Sequence, residues 1–96
     1  MKPTVVRIFY RESDGSLVDS THDYPLDHFA GQLPVPGDRV LYSGVARGLS
    51  RREMRNRRVW DVVGRFFNPM DNEDYVALIV EEREPTQSEA QVIGAD

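Results

Sequence analysis

"RVWDVVGRFFNPMDNEDYVALIVEER", residues 58–83, carries the two most strongly patterned strands of the chain and the turn that joins them. The first run, 58–67, and the second, 74–83, are rich in β-branched and aromatic side chains, and "NPMDNE" between them is a turn signalled by Asn-Pro and clustered acids. Alternation places Trp60, Val62 and Phe66 on one face of the first strand together with Gly64. A glycine on a core face marks a bulge or sharp bend, the device that curls a small sheet. The second strand is apolar on both faces, with Val76, Leu78 and Val80 against Tyr75, Ala77 and Ile79, so it is expected to be covered on both sides. If Trp60, Val62 and Phe66 fill the core, then Val63, Phe67, Tyr75 and Ile79 lie on the opposite face. Either the chain covers them itself, or they form an interface, for which a two-fold homodimer is the commonest outcome.

The rest of the chain adds strands to this hairpin. "TVVRIFYR", residues 4–11, reads as a strand with Val6, Ile8 and Tyr10 on one face and Val5, Arg7 and Phe9 on the other. Asp14-Gly15 is a hairpin signal, because glycine accepts the positive φ such turns need. The return strand, 17–24, is thin in apolar residues and is expected at an edge or in solvent. Residues 25–31 place Pro at a first-turn position and Gly at an end, which predicts a short helical turn. "LPVPGDRVLY" supplies a Pro-Gly turn feeding a third strand at 38–42. The pattern predicts a mainly β fold, a small antiparallel five-stranded barrel or curled sheet with one or two short helical turns. Residues 1–84 form the single β domain, and 85–96, lacking periodicity, form a disordered tail. In general architecture this resembles SH3-like barrels, a likeness of layout and not of family, and such folds host many functions.

The connector before the hairpin is unlike the rest. "LSRREMRNRR", residues 49–58, has Ser50 and Glu53 in capping-box spacing with Leu49 and Met54 placed as a hydrophobic staple, which predicts a short helix over about 51–56. Arg51 and Arg52 oppose that helix by putting positive charge at the positive end of its dipole. The chain has a net charge of −4, distributed unevenly: −2 over residues 1–46, +5 over 47–65 and −7 over 66–96. Arg47, Arg51, Arg52, Arg55, Arg57 and Arg58 are therefore candidates for nucleic-acid or partner contact, since Arg neutralises phosphates, forms bidentate bonds and stacks on bases. The competing readings are a protein or intersubunit contact and a plain solvated loop, the commonest fate of a charge run. Trp60 alternates with core residues and is expected to be buried instead of offered to a base.

Composition sets the remaining bounds. Ninety-six residues make one modest core, and the absence of cysteine removes disulfides, thiolate nucleophiles and zinc–cysteine sites together. The N-terminus carries no recognisable targeting segment, and the longest apolar run, "YVALIV", is far short of the roughly 20 residues that cross a bilayer. A cytoplasmic location is the expectation, and the use of Arg for eleven of twelve basic residues suggests a GC-rich, bacterial coding genome.

No motif announces an enzyme, a cofactor or a metal. His22, Asp23, Asp27 and His28 in "THDYPLDH" are metal-ligand and acid–base types, but their spacing matches no established motif, and neighbours on a strand point to opposite faces. Asp71, Glu73 and Asp74 lack the D-x-D-x-D-G spacing of a calcium loop and read as an acidic turn. Phosphate-binding, dinucleotide, nucleophile-elbow and H-E-x-x-H patterns are absent from the sequence. The expected function is a non-enzymatic interaction module that self-associates as a homodimer through the 58–67/74–83 hairpin, with no membrane involvement. The alternatives are a nucleic-acid-binding barrel using the connector 47–58, and an acidic inhibitor or mimic that binds a basic protein.

Overall fold

A computed structural model describes residues 4–42 and 44–94. Five strands form one sheet: β1 (Val5–Arg11), β2 (Leu17–Pro25), β3 (Arg39–Leu41), β4 (Val59–Phe67) and β5 (Tyr75–Arg83). A short helix, α1 (Ala90–Gly94), and 3-10 turns at Leu26–Phe29, Met54–Asn56 and Gln87–Glu89 complete the described chain. The spatial order is β2-β1-β5-β4-β3.

This corrects the expectation of an antiparallel barrel in two respects. The sheet is mixed, because β1 runs parallel to β5 while the other three pairings are antiparallel. It is also open, with β2 and β3 as its edges. The apolar pattern of β5 fits its central place in the sheet, where both faces are most enclosed. The hairpin places β4 on one side, and β1, itself carrying Val6 and Ile8, takes the other side with the chain running in the same direction.

Two irregularities bend the sheet. Val62 pairs with Val80, and the next pair is Gly64 with Ile79, so Val63 is one extra residue on β4. A single inserted residue exchanges the faces of everything beyond it. Arg65 and Phe67 therefore stand opposite Leu78 and Val76, on the core side, whereas Phe66 stands opposite Ala77 on the outer side. The sequence pattern had Phe66 in the core, and the bulge overturns that assignment. A Cβ at Gly64 would meet Ile79 at 3.9 Å, an ordinary contact, so the bend comes from the extra residue and not from glycine's lack of a side chain. On β2 the pairs Arg7–Asp23 and Phe9–Asp19 leave extra residues around Thr21, whose φ is 63°. A bulge on an edge strand breaks the row of free backbone groups that would template aggregation.

The core lies on one face of the curled sheet. Val6, Ile8, Leu78 and Val80 are fully enclosed, with Val62 and Trp60 beside them. Trp60 is buried as expected; Tyr42 stacks on it with centroids 4.8 Å apart, and Tyr10 and Tyr24 meet it edge-on at 5.8 and 6.4 Å. Tyr24 is on β2 and Trp60 on β4, two strands that a flat sheet would hold about 14 Å apart. Their contact reflects the curl. Burial pushes the Tyr10 hydroxyl up to about 12, assisted by the nearby Glu82 charge.

The turns follow the sequence chemistry. Pro36-Gly37 closes with Asp38 N–H donating to the Val35 carbonyl at 2.9 Å, and Gly37 takes φ 100°, which L side chains avoid. The predicted turn after Pro25 is a 3-10 turn ending in left-handed Ala30 and Gly31.

The segment after β5 differs from expectation. Residues 87–94 fold back onto the outer face, and Ile93 is buried there beside Leu41 and Val59. Arg83 explains why a stretch without periodicity takes one position. Its guanidinium grips Asp61 at 2.7 and 3.1 Å and Glu89 at 2.8 and 2.9 Å. Glu89 in turn closes a capping box by accepting the Thr86 N–H at 2.8 Å. Residues 95–96 of the expected tail lie outside the described residues.

Candidate functional site

The outer face of the sheet divides into two halves. At the β3–β4 end, Leu41 and Val59 are covered by Ile93 of the folded-back segment. At the other end Phe9, Leu17, Phe66, Phe67, Tyr75, Ala77 and Ile79, with Asn68 at the strand end, line an open hollow of about 290 Å3. Within it Ile79 is 5 % exposed, enclosed by its neighbours, while Phe66 is 63 % and Leu17 48 % exposed.

Several arginines of the outer face are paired inside the chain. Arg7 bonds Asp19 at 2.8 and 2.9 Å and reaches Asp23 at 3.3 Å. Asp19 raises the Arg7 guanidinium above its ordinary value, and Arg7 holds the Asp19 carboxyl below its own. Across the sheet Arg11 pairs with Glu81 at 2.7 Å, and Arg83 with Asp61 and Glu89. Arg7–Asp19 and Arg11–Glu81 are thus neutralised pairs on this face, the Arg83 pairs belong to the covered end, and the acidic turn 71–74 adjoins the hollow at its Phe67–Tyr75 end.

Of the interface residues expected from sequence, Tyr75 and Ile79 belong to this hollow, and Phe67 borders it from the strand end. Val63 is the unpaired bulge residue and does not line it. Phe66, Phe9 and Leu17 were missed. Strict alternation placed Phe66 in the core until the bulge changed its face. Phe9 alternates with Arg7 and Arg11, so its face read as polar, and Leu17 lies on a strand too polar to suggest a contact.

The Arg-rich connector is a loop with a 3-10 turn at Met54–Asn56, not the helix over about 51–56. Ser50 Oγ accepts the Arg52 N–H at 3.2 Å, and the Glu53 carboxylate pairs with Arg55 at 2.9 Å, so the Ser50–Glu53 box does not form. Arg57 leaves the exposed cluster. It is 5 % exposed and donates to the carbonyls of Arg51 at 2.7 Å and Tyr42 at 3.1 Å, which pins the loop to the end of β3. Its Nε has no partner among the described residues, and burial lowers its pKa, with the Arg51 charge adding to the effect. Arg58 is half-buried and donates to the Arg57 carbonyl, while Arg47, Arg51, Arg52 and Arg55 are exposed.

His22, Asp23, Asp27 and His28 are not brought together. Asp23 faces Arg7 on the outer side, whereas the His28 ring tilts against Tyr24 on the core side with centroids 5.6 Å apart. Asp71, Glu73 and Asp74 occupy the exposed β4–β5 turn and its end. Among the described residues, His, Cys, Asp and Glu nowhere gather in threes as a metal ion would need. No helix among them is long and apolar enough to cross a membrane.

The core side also holds a concavity that the sequence did not reveal. Tyr24, His28, Phe29, Val40, Tyr42 and Trp60 line a hollow of about 270 Å3 between the 26–29 turn and β3. These residues come from four separate elements, so only the curl of the sheet assembles them. Gly44 lies close against the Tyr42 ring: a Cβ there would lie 2.5 Å from it. No protein-family model matches the chain, and none of the curated proteins or solved structures compared with it matches either.

Proposed function

We propose that the chain is a non-enzymatic interaction module that self-associates face to face through the open half of its outer sheet surface. Phe9, Leu17, Phe66, Tyr75, Ala77 and Ile79 form the centre of the contact. The observation that carries this reading is an apolar hollow with Phe66 63 % exposed, on a face where Arg7 and Arg11 are already paired within the chain.

That pairing favours a second copy over a charged partner. A two-fold contact sets each rim residue against a different residue of the same patch on the second copy, so an unpaired rim charge would need an opposite charge elsewhere on that rim. Arg7 and Arg11 each hold a carboxylate of the same chain, which lowers that need. The exposed phenylalanines are the large, rigid anchors that dominate such contacts once desolvated.

Sedimentation velocity across a dilution series tests the proposal. The expected result is a two-chain species at micromolar concentration that dissociates on dilution. A single-chain species at every concentration overturns it.

A further inference from the structure

We infer that the core-side concavity is an aromatic box for a small quaternary ammonium compound, held by the rings of Tyr24, Phe29, Tyr42 and Trp60 and by the carboxylates around them. This goes beyond the self-association reading and uses the opposite side of the sheet.

The angles between the walls select the shape of the occupant. Tyr24 stands at 57° to His28, 72° to Phe29 and 68° to Trp60, with ring centroids 5.6, 6.1 and 6.4 Å away. Tyr42 lies almost flat on Trp60, at 22°. Walls this steep to one another do not make the parallel slot that a flat ring needs. They surround a compact, rounded group and touch it on several sides at once. The hollow of about 270 Å3 falls just below the roughly 300–1,000 Å3 of sites that enclose a drug-sized molecule. It therefore suits a head group and not a large ligand.

Electrostatics select the sign. An aromatic face is the negative end of the ring quadrupole and attracts a cation within about 6 Å of its centroid. Among the described residues the lining holds no arginine or lysine. Glu82 accepts the Trp60 Nε1–H at 3.2 Å, which enriches the indole in electron density, and its charge also reaches Tyr10. Asp27 is next to His28 on the 26–29 turn. Asp38 lines an adjoining hollow of about 370 Å3, which shares His28, Phe29, Val40 and Leu41 with the first.

The nearby arginines do not reverse this balance. Arg39, in the adjoining hollow, faces Glu89 at 3.4 Å. Arg57 and Arg58 bond backbone carbonyls on the connector side and line neither hollow. A quaternary ammonium fits an apolar box better than a primary one. It has no N–H that burial would leave without an acceptor, whereas a primary ammonium brings three.

Trp60 is the single tryptophan of the chain and stands in the wall of the box, so its fluorescence reports occupancy. Titration of the full chain with choline tests the assignment. The expected result is a saturable change in Trp60 emission with a Kd of about 1 mM or below. The neutral isostere of choline, with tert-butyl in place of trimethylammonium, should bind about fivefold or more weakly. Glu82→Gln keeps an acceptor for the Trp60 N–H and removes the charge. It should weaken choline about threefold and leave the isostere unchanged. Phe29→Leu keeps apolar bulk and removes one π-face, and should also weaken choline about threefold. Circular dichroism should show both variants folded, and the isostere comparison on the wild-type chain stands whatever the variants do.

Three results overturn the inference: no saturable change up to about 50 mM choline, equal affinity for the neutral isostere, or a choline affinity that neither folded variant lowers. Loss of choline binding in Phe66→Asp would place the contact on the outer face and also overturn it. Retention there keeps this inference separate from self-association, so either can fail without the other.

Discussion

The two halves of the outer face begin from similar material and end differently. Leu41 and Val59 at one end, and Phe9, Phe66 and Ile79 at the other, are apolar residues on the same surface of one sheet. The first group is sealed by the chain's own C-terminal segment, through Ile93 and the Arg83–Glu89 clamp. The second is left open, and nothing among the described residues reaches it. The comparison teaches that this fold can cover an apolar sheet face with a few residues and does so over only part of it. Exposed apolar surface on the remainder is what marks an interaction site.

Substitutions in the two halves should therefore act on different observables. Ile93→Ala removes the buried seal and is expected to cost about 2–4 kcal/mol in denaturant unfolding, with little effect on the mass of the assembly. Crowding Tyr42 from Gly44 should cost somewhat less: Gly44→Ala is expected to lose about 1–3 kcal/mol through overpacking. In the open half, Phe66→Asp should alter chain stability by no more than about 0.5 kcal/mol while abolishing self-association. Gly64→Ala, with an ordinary 3.9 Å contact awaiting its methyl, should alter stability least of all.

Acid should separate the halves as well. The Arg83 guanidinium, with the Thr86 N–H, holds the Glu89 carboxyl down to about 2, against an ordinary value of 4.5. A carboxyl depressed in the folded state stabilises the fold above its ordinary value, and that contribution fades as pH falls toward the depressed one. Hydrogen exchange in residues 87–93 should stay slow above about pH 5 and quicken below about pH 4, before the strands of the core open. Simultaneous loss of protection everywhere would show that the clamp is not a separate device.

How much of this was legible in the sequence depended on whether the signal was local. The β4–β5 hairpin and the Asp14-Gly15 and Pro36-Gly37 turns followed directly from alternation and turn chemistry, whereas the outer face of β5, expected to be covered, stays partly open at Tyr75 and Ala77. The faces beyond Gly64 did not, because one unpaired residue at Val63 exchanges them and no residue type announces it. The parallel β1–β5 pairing was invisible for another reason, since it joins segments about seventy residues apart in sequence. The two capping signals are instructive. Ser50-x-x-Glu53, taken as a helix start, and Thr86-x-x-Glu89, passed over within the expected disordered tail, have the same spacing, yet only the second forms the box. Around Ser50, neighbouring arginines compete for the partners, and Arg55 takes Glu53. At Thr86 the Arg83 side chain arrives from the strand and fixes Glu89 in place. The concave hollow was illegible because its walls come from four elements that meet only when the sheet curls.

Self-association through the open half is the central claim, and light scattering of the wild-type chain beside Phe66→Asp at matched micromolar concentration tests it most directly. The expected masses are two chains for the wild type and one for the variant, with both unfolding at the same denaturant midpoint. A one-chain mass for the wild type, or a two-chain mass unchanged by Phe66→Asp, would contradict it.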